Sequence, residues 1–214
     1  MTTPERYITP EEYLRRERAA ETKSEYYRGR IYAMTGVGRQ HLRLAFNLGG
    51  ILYRQIAAGP CETFAADMRT KVRANGLYTY PDLVVACHGA AFEDEQLDTL
   101  LNPSLIVEIL SPSTEAYDRG GKFELYRALD TLRTYVLVSQ DRPRIEVFER
   151  DRDRWILHEV SGLDATLDLP TIGASIALRE LYARVEWTET SCRIQRSLSR
   201  SNTSMRGRSC ETST

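Results

Sequence analysis

The sequence predicts an α/β (α+β) chain in which a mixed central β-sheet is flanked by helices. Three observations carry this. Residues 39–57 place Leu44, Leu48, Leu52 and Ile56 four apart, the apolar stripe of a helix with one buried face. From Cys61 onward the period shortens into brief β-rich runs. The order is helix, strand, helix, then strands, then one more helix and further strands.

Local signals justify the elements in turn. Thr9-Pro10-Glu11-Glu12 offers an N-cap hydroxyl, a proline at the first helical position and a glutamate three residues after the cap, so a helix starts there and is expected to reach about Glu21. Arg28-Gly29-Arg30 reads as a turn and residues 30–34 as a short strand. The long helix follows Gly36-Val37-Gly38. The β-rich runs are residues 61–65, 68–72, 80–87, 105–110, 135–139, 144–150 and 154–160, with Ala74-Asn75-Gly76 as a turn before the third. A helix capped near Ser113 or Thr114 is expected over residues 115–129. The acidic stretch 89–103 reads as a solvated connection in preference to a lid or dimer contact. No internal repeat is visible.

Composition narrows the function. The chain has 214 residues, 42% of them hydrophobic and 28% charged, a globular balance sufficient for one domain with a core. No run approaches the ~18–20 apolar residues of a membrane span. The polar start carries no secretory signal, so a cytoplasmic protein is expected. Cys61, Cys87, Cys192 and Cys210 show neither C-x-x-C spacing nor Cys/His pairing, which excludes a zinc ribbon and a dense disulfide framework. Cys61 and Cys87 read as small core residues. Residues 191–214 hold seven Ser, three Thr and five Arg without apolar periodicity, so the expected organisation is a domain over 1–190 and a disordered tail over 191–214. The net charge of −1 advertises no strong field for nucleic acid. Only three of the 29 basic residues are lysine: Lys23, Lys71 and Lys122. A compact, tunable ammonium is what arginine cannot supply.

Three ionisable residues stand at apolar positions. Asp82 opens the run Leu83-Val84-Val85-Ala86 and shares a face with Val84 and Ala86 by the period of two. Glu108 sits inside Leu105-Ile106-Val107 and Ile109-Leu110, a strand apolar enough to be buried on both faces. A buried carboxylate costs several kcal/mol unless it finds a cation, a metal or a proton. Lys122 lies with Leu125, Tyr126 and Leu129 on the apolar face of its helix, and Asp118 lies one turn earlier. The helix follows the Glu108 strand and should pack back over the sheet. Two readings fit. A Mg²⁺ ion on Asp82 and Glu108 would polarise a phosphoryl oxygen, with Lys122 orienting water or stabilising developing charge. The alternative is a structural Asp–Lys–Glu network.

The strings SEYYRGRIYAMTG, QHLRLAFNL, YTYPDLVVAC, LLNPSLIVEILSPSTEAYDRGGKFELYRAL and TYVLVSQDRPRIEVFERD resemble the Uma-type family of restriction-endonuclease-like proteins, within the PD-(D/E)xK nuclease superfamily. The resemblance covers about residues 7–188. It implies a restriction-endonuclease-like mixed sheet core and a Mg²⁺- or Mn²⁺-dependent endonuclease that hydrolyses DNA phosphodiester bonds. It puts Asp82 and Glu108 in the metal-binding positions, with the backbone carbonyl of Ile109 as a third ligand. The superfamily pattern has a lysine two residues after the glutamate, where this chain has Leu110, so the resemblance assigns the ammonium to Lys122.

Glu25 matches an acidic residue from an N-terminal helix, acting through a water or standing as a helix-end charge. His41 matches a family histidine, for phosphate contact or acid–base work, or as a simple helix-start residue. Ser111 and Asp118 are expected to orient the loop and Lys122, and Tyr126 to pack rather than bond a carboxylate. DNA is the expected partner, and a homodimer follows from double-strand cutting. The rival readings are a catalytically silent module binding nucleic acid or protein, a hydrolase of another phosphate ester, and a mobile-element component.

Overall fold

The computed structural model describes residues 6–187; the expected tail, with Cys192 and Cys210, and the last three positions of the expected 1–190 domain lie outside the described residues. Helix α1 (Pro10–Glu17) starts as its signals predict: the Thr9 hydroxyl accepts from the Glu12 N–H at 3.3 Å. It stops four residues early because Ala19 and Ala20 donate in tight turns to Arg16 and Glu17 carbonyls. Strands β1 (Ser24–Tyr27) and β2 (Arg30–Ala33) form a hairpin. Its turn puts Arg28 and Gly29 at positive φ. A Cβ on Gly29 would also strike the Tyr7 ring at 2.1 Å, so a larger residue there would have to displace that exposed ring. Glu25 therefore lies in a strand, not at a helix end.

Helix α2 (Arg39–Ile56) buries Leu44, Leu48, Leu52 and Ile56 as their spacing requires. Next come β3 (Cys61–Ala65), β4 (Arg69–Val72), β5 (Leu77–Thr79) and β6 (Leu83–Cys87). Of the expected strand over 80–87 only Leu83–Cys87 forms, and β5 is an unexpected strand that ends just before it. Pro81 has no N–H for a ladder, so pairing breaks there and leaves Asp82 at a bend. The acidic stretch 89–103 is pinned rather than merely solvated. It carries β7 (Thr99–Leu100), which pairs parallel with β4, and its Asp94 and Asp98 bind Arg18.

Strand β8 (Leu105–Ile109) leads into a helical segment whose α3 (Glu115–Tyr117), π-helical turn (Asp118–Lys122) and α4 (Phe123–Tyr126) replace the single helix expected over 115–129. Gly120-Gly121, a poor α-helical pair, lies within the π turn. Strands β9 (Thr134–Val138), β10 (Arg144–Asp151) and β11 (Arg154–Ser161) complete a six-stranded sheet of order β11-β10-β9-β8-β6-β3. Only β8 and β9 pair in parallel there, because the helical segment between them carries the chain back across the sheet. A hairpin of β12 (Thr166–Leu169) and β13 (Ala174–Ala177) and the short α5 (Leu178–Leu181), none of them expected, close the described chain. A second sheet runs β2-β1-β5-β4-β7.

Each face of the six-stranded sheet has its own core. On one, α2, the β12–β13 hairpin and α5 cover Leu83, Val85, Leu105, Val107 and Ile109. On the other, Val84, Ala86, Ile106 and Leu137 meet Tyr126, Leu129 and Leu132, with Val72 and Leu77 of the second sheet. Each fully buried Leu in these layers contributes about 1.5–3 kcal/mol. Tyr13, Tyr26 and Tyr78 seat α1 on the second sheet. Trp155 packs on Phe123, their rings 5.3 Å apart.

Cys61 and Cys87 are not free core residues. Strands β3 and β6 place them directly opposite, and they form a disulfide.

Candidate active site

The site forms where β6 and β8 separate. Their last ladder pair is Leu83↔Val107, and Asp82 and Glu108 are the next residue on each chain. Alternation turns Glu108 away from the Val107 and Ile109 side and toward the second core. There the α3–π–α4 segment brings Lys122 over it. Lys122 Nζ lies 2.9 Å from Glu108 Oε1, 3.3 Å from Glu25 Oε1 and 3.8 Å from Asp118 Oδ1. Glu108, Asp118 and Lys122 are all more than nine-tenths buried.

Glu25, Asp82, Glu108, Ile109, Ser111, Asp118, Lys122 and His41 line one cavity of about 250 Å³. The structure thus gathers side chains from β1, the β6 entry, β8, α2 and the π turn. The other two lysines pair elsewhere, Lys23 with Asp67 and Lys71 with Glu93.

Each carboxylate is held by neighbours. Asp82 Oδ2 accepts from the Ile109 N–H at 2.7 Å, and Asp82 Oδ1 lies 2.8 Å from His41 Nε2. A carboxylate accepts, so His41 carries its proton on Nε2. His41 Nδ1 is buried without a hydrogen-bond partner among the described residues. The Tyr126 hydroxyl donates to Glu108 Oε1 at 2.9 Å. Tyr126 therefore does both: it packs against Tyr135 and bonds the carboxylate, where packing alone was expected. The Thr79 hydroxyl donates to Glu25 and lies 3.4 Å from the Tyr126 hydroxyl. Ser111 bonds the Ser113 and Thr114 hydroxyls and shapes the loop after β8.

Sequence reasoning passed over Thr79, Gln140 and Tyr117. Gln140 lines the cavity and donates to the Leu110 carbonyl at 2.7 Å. A threonine at a strand end and a glutamine after one carry no signal of their own. Tyr117 could have been marked by its place one residue before Asp118.

Charge in the cavity is unbalanced. Burial pushes the Glu108 carboxyl well up, Lys122 opposes this, and the Asp118 and Asp82 carboxylates add to it. Burial likewise raises Asp118 against the pull of Lys122. Burial alone would pull the Lys122 ammonium down, but Glu108, Glu25 and Asp118 outweigh it and hold the ammonium above its ordinary value. One lysine thus serves three carboxylates, with a fourth, Asp82, in the same cavity, and the cluster is short of positive charge.

Similarity to known proteins bears on this geometry. Residues 10–179 match the model of the family described as "Uma2: Putative restriction endonuclease". The chain belongs to the Uma2 family. Uma2 relatives include two uncharacterized proteins of Synechocystis sp. (strain ATCC 27184 / PCC 6803 / Kazusa). The protein slr1290 is 37% identical over 176 residues, 82% of this chain and 91% of the relative. The protein sll1609 is 37% identical over 162 residues, 75% of this chain and 92% of the relative. The fold matches the crystal structure of "a putative nuclease belonging to DUF820" from Anabaena variabilis ATCC 29413 with a TM-score of 0.69 at 18% identity, covering 84% of this chain and 99% of that one. The Uma2 core here is thus restriction-endonuclease-like, a mixed sheet flanked by helices. Among the described residues no helix is long and apolar enough to cross a membrane.

Proposed function

We propose that this Uma2 chain is a divalent-metal-dependent endonuclease that hydrolyses phosphodiester bonds in DNA. The observation that carries the reading is the convergence of Glu25, Glu108 and Asp118 on a single buried lysine, with Asp82 lining the same cavity. Membership of the family described as "Putative restriction endonuclease" supports it.

The residues fit a hard cation such as Mg²⁺ or Mn²⁺. Among the described residues no three acidic, histidine or cysteine side chains form a ready-made ligand set. Mg²⁺ asks for less: one or two carboxylates with several retained waters. Asp82 and Glu108, with the Ile109 carbonyl, would hold it, and the excess of carboxylates gives it a charge to offset. When bound, such an ion polarises a phosphoryl oxygen and favours ionisation of water. His41 and the Ile109 N–H keep the Asp82 carboxylate in one orientation. Tyr126 does the same for Glu108, and Thr79 for Glu25. Lys122 orients the attacking water and offsets negative charge on the phosphate as it is attacked. DNA is the partner in this reading, and two copies acting together would cut both strands.

The purified protein with Mg²⁺ or Mn²⁺ should nick plasmid DNA, and Asp82→Ala should abolish nicking. Full activity in that variant would overturn the site assignment. One observation favours a catalytically silent binding module instead: both Asp82 oxygens already have partners within the protein. A calorimetric titration with Mn²⁺ that shows no heat of binding would decide for it.

A further inference from the structure

A second cavity, of about 690 Å³, opens beside the catalytic one. The two share Glu25, Tyr32 and Tyr117, so whatever fills the second lies next to the reacting phosphate. Three tyrosines, Tyr27, Tyr32 and Tyr117, line it. Among the chain's other aromatic rings, Tyr13, Tyr26 and Tyr78 form one packed group and Phe123, Tyr135, Phe148 and Trp155 another. Tyr32 and Tyr117 belong to neither group and remain 48% and 43% exposed. Large aromatic surface left open at a cavity mouth is surface available for stacking.

The π turn holds one of these rings in place. A Cβ on Gly121 would meet the Tyr117 ring at 3.2 Å, so glycine there lets the ring lie close over the turn that also carries Lys122. Also in the lining, the Arg28 guanidinium covers the Tyr27 ring at 5.0 Å. Glu124 adds a carboxylate to the lining. Aromatic faces, an acceptor for ring and amino N–H groups, and a guanidinium suited to phosphate are the recognition chemistry of a single nucleotide.

We propose that this cavity is a nucleobase subsite. It takes a base of the DNA strand turned out of its stack beside the phosphate to be cut, with Tyr32 and Tyr117 as stacking surfaces. This rests on the nuclease reading and narrows its substrate class. Bases inside a paired duplex are not available to stack here, and turning one out costs a few kcal/mol. The preferred substrate is therefore DNA with an unpaired nucleotide at the cut: a single strand, a flap or a mismatch.

The test uses a short oligonucleotide with 2-aminopurine at one central position, whose fluorescence falls when the base stacks. It is bound to Asp82→Asn protein with Mg²⁺ so that it stays uncut. Single-stranded probe should be quenched on binding. The double variant Tyr32→Ala/Tyr117→Ala should abolish the quenching and raise the Kd for single strand about tenfold, or ~1.4 kcal/mol, within the range for one stacked base. Affinity for fully paired duplex should change less than twofold. Tyr32→Phe/Tyr117→Phe keeps both rings and should restore quenching and affinity.

Single-strand binding that is unquenched, or equally tight in the alanine variant, overturns the subsite. Wild-type cleavage on plasmid and single-stranded DNA is measured in parallel. Cleavage with a failed stacking arm removes the subsite and leaves the nuclease; no DNA binding or cleavage at all removes both.

Discussion

Replacing Lys122 with methionine keeps most of the side chain's volume and removes its charge. Among the described residues it is the only lysine or arginine that lines the cavity of the candidate site. Its contacts of 2.9 Å to Glu108 and 3.3 Å to Glu25 each represent ~5 kcal/mol of gross attraction at an effective dielectric near 20. Most of that offsets the cost of burying the charges, so the net loss is smaller. Removing one partner of a buried pair typically costs about 3–5 kcal/mol. At ~2–4 °C per kcal/mol for a chain of this size, the melting temperature should fall on the order of 10 °C at pH 7.

The fall should depend on pH. Burial already raises Glu108 and Asp118, so their preference for the folded state is fully present below the unfolded carboxyl pKa of ~4 and is lost as pH rises. Losing the ammonium raises both further. The gap between wild type and variant should therefore widen from pH 4.5 to pH 7. Adding Mn²⁺ should recover part of it. Calorimetric melts at both pH values read this directly. A cost below about 1 kcal/mol at pH 7, or one that is identical at both pH values, would refute the claim that Lys122 neutralises the cluster.

Three further outcomes are expected. His41→Ala leaves Asp82 Oδ1 without its imidazole partner, and loss of such a support should weaken Mn²⁺ binding about 10–100-fold by titration calorimetry; unchanged affinity would show that the Ile109 N–H alone orients Asp82. Arg18, with Arg69 and Thr99 adding to it, holds the Asp98 carboxyl well below the usual carboxylate range, so its stabilisation is present above pH ~4 and is lost as pH falls further. Asp98→Asn should flatten the acid limb of a stability–pH curve, and an unaltered limb would place the acid sensitivity elsewhere. Reducing the Cys61–Cys87 disulfide, which closes a separation of 26 residues, should cost about 3.5 kcal/mol in a urea titration if chain entropy sets its contribution.

What the sequence makes legible depends on contrast. Glu108 stands out because five aliphatic residues surround it, and Lys122 because its helical neighbours at three, four and seven residues are apolar or aromatic. Asp82 stands out by alternation with Val84 and Ala86, residues the structure buries in the second core. The partners that orient these groups have no such contrast. His41 meets Asp82 across 41 residues and Thr79 meets Glu25 across 54, and only the tertiary fold makes those neighbours. Helix rules carried the first helix past its true end and put Glu25 in the wrong kind of element. Arg18 is drawn away toward Asp94 and Asp98, a contact with the segment 76–80 residues later that no local rule contains. The alternation in Thr166-Leu167-Asp168-Leu169 was a usable strand signal. Leu167 and Leu169 are buried and Thr166 and Asp168 exposed, but the run is four residues long.

The π-helical turn has a bearing on where the lysine can come from. A π turn is what one extra residue produces in an α-helix that stays unbroken, and each residue of an α-helix turns ~100°. Residues 118–122 thus take up one extra residue between Glu115–Tyr117 and Phe123–Tyr126 without breaking the helical path. The wider turn sets Tyr117 and Lys122, five residues apart, along one side of it, and both line the same opening. The length of this turn, rather than any rebuilding of the sheet that displays the carboxylates, therefore sets which side chains of the segment reach the cavity.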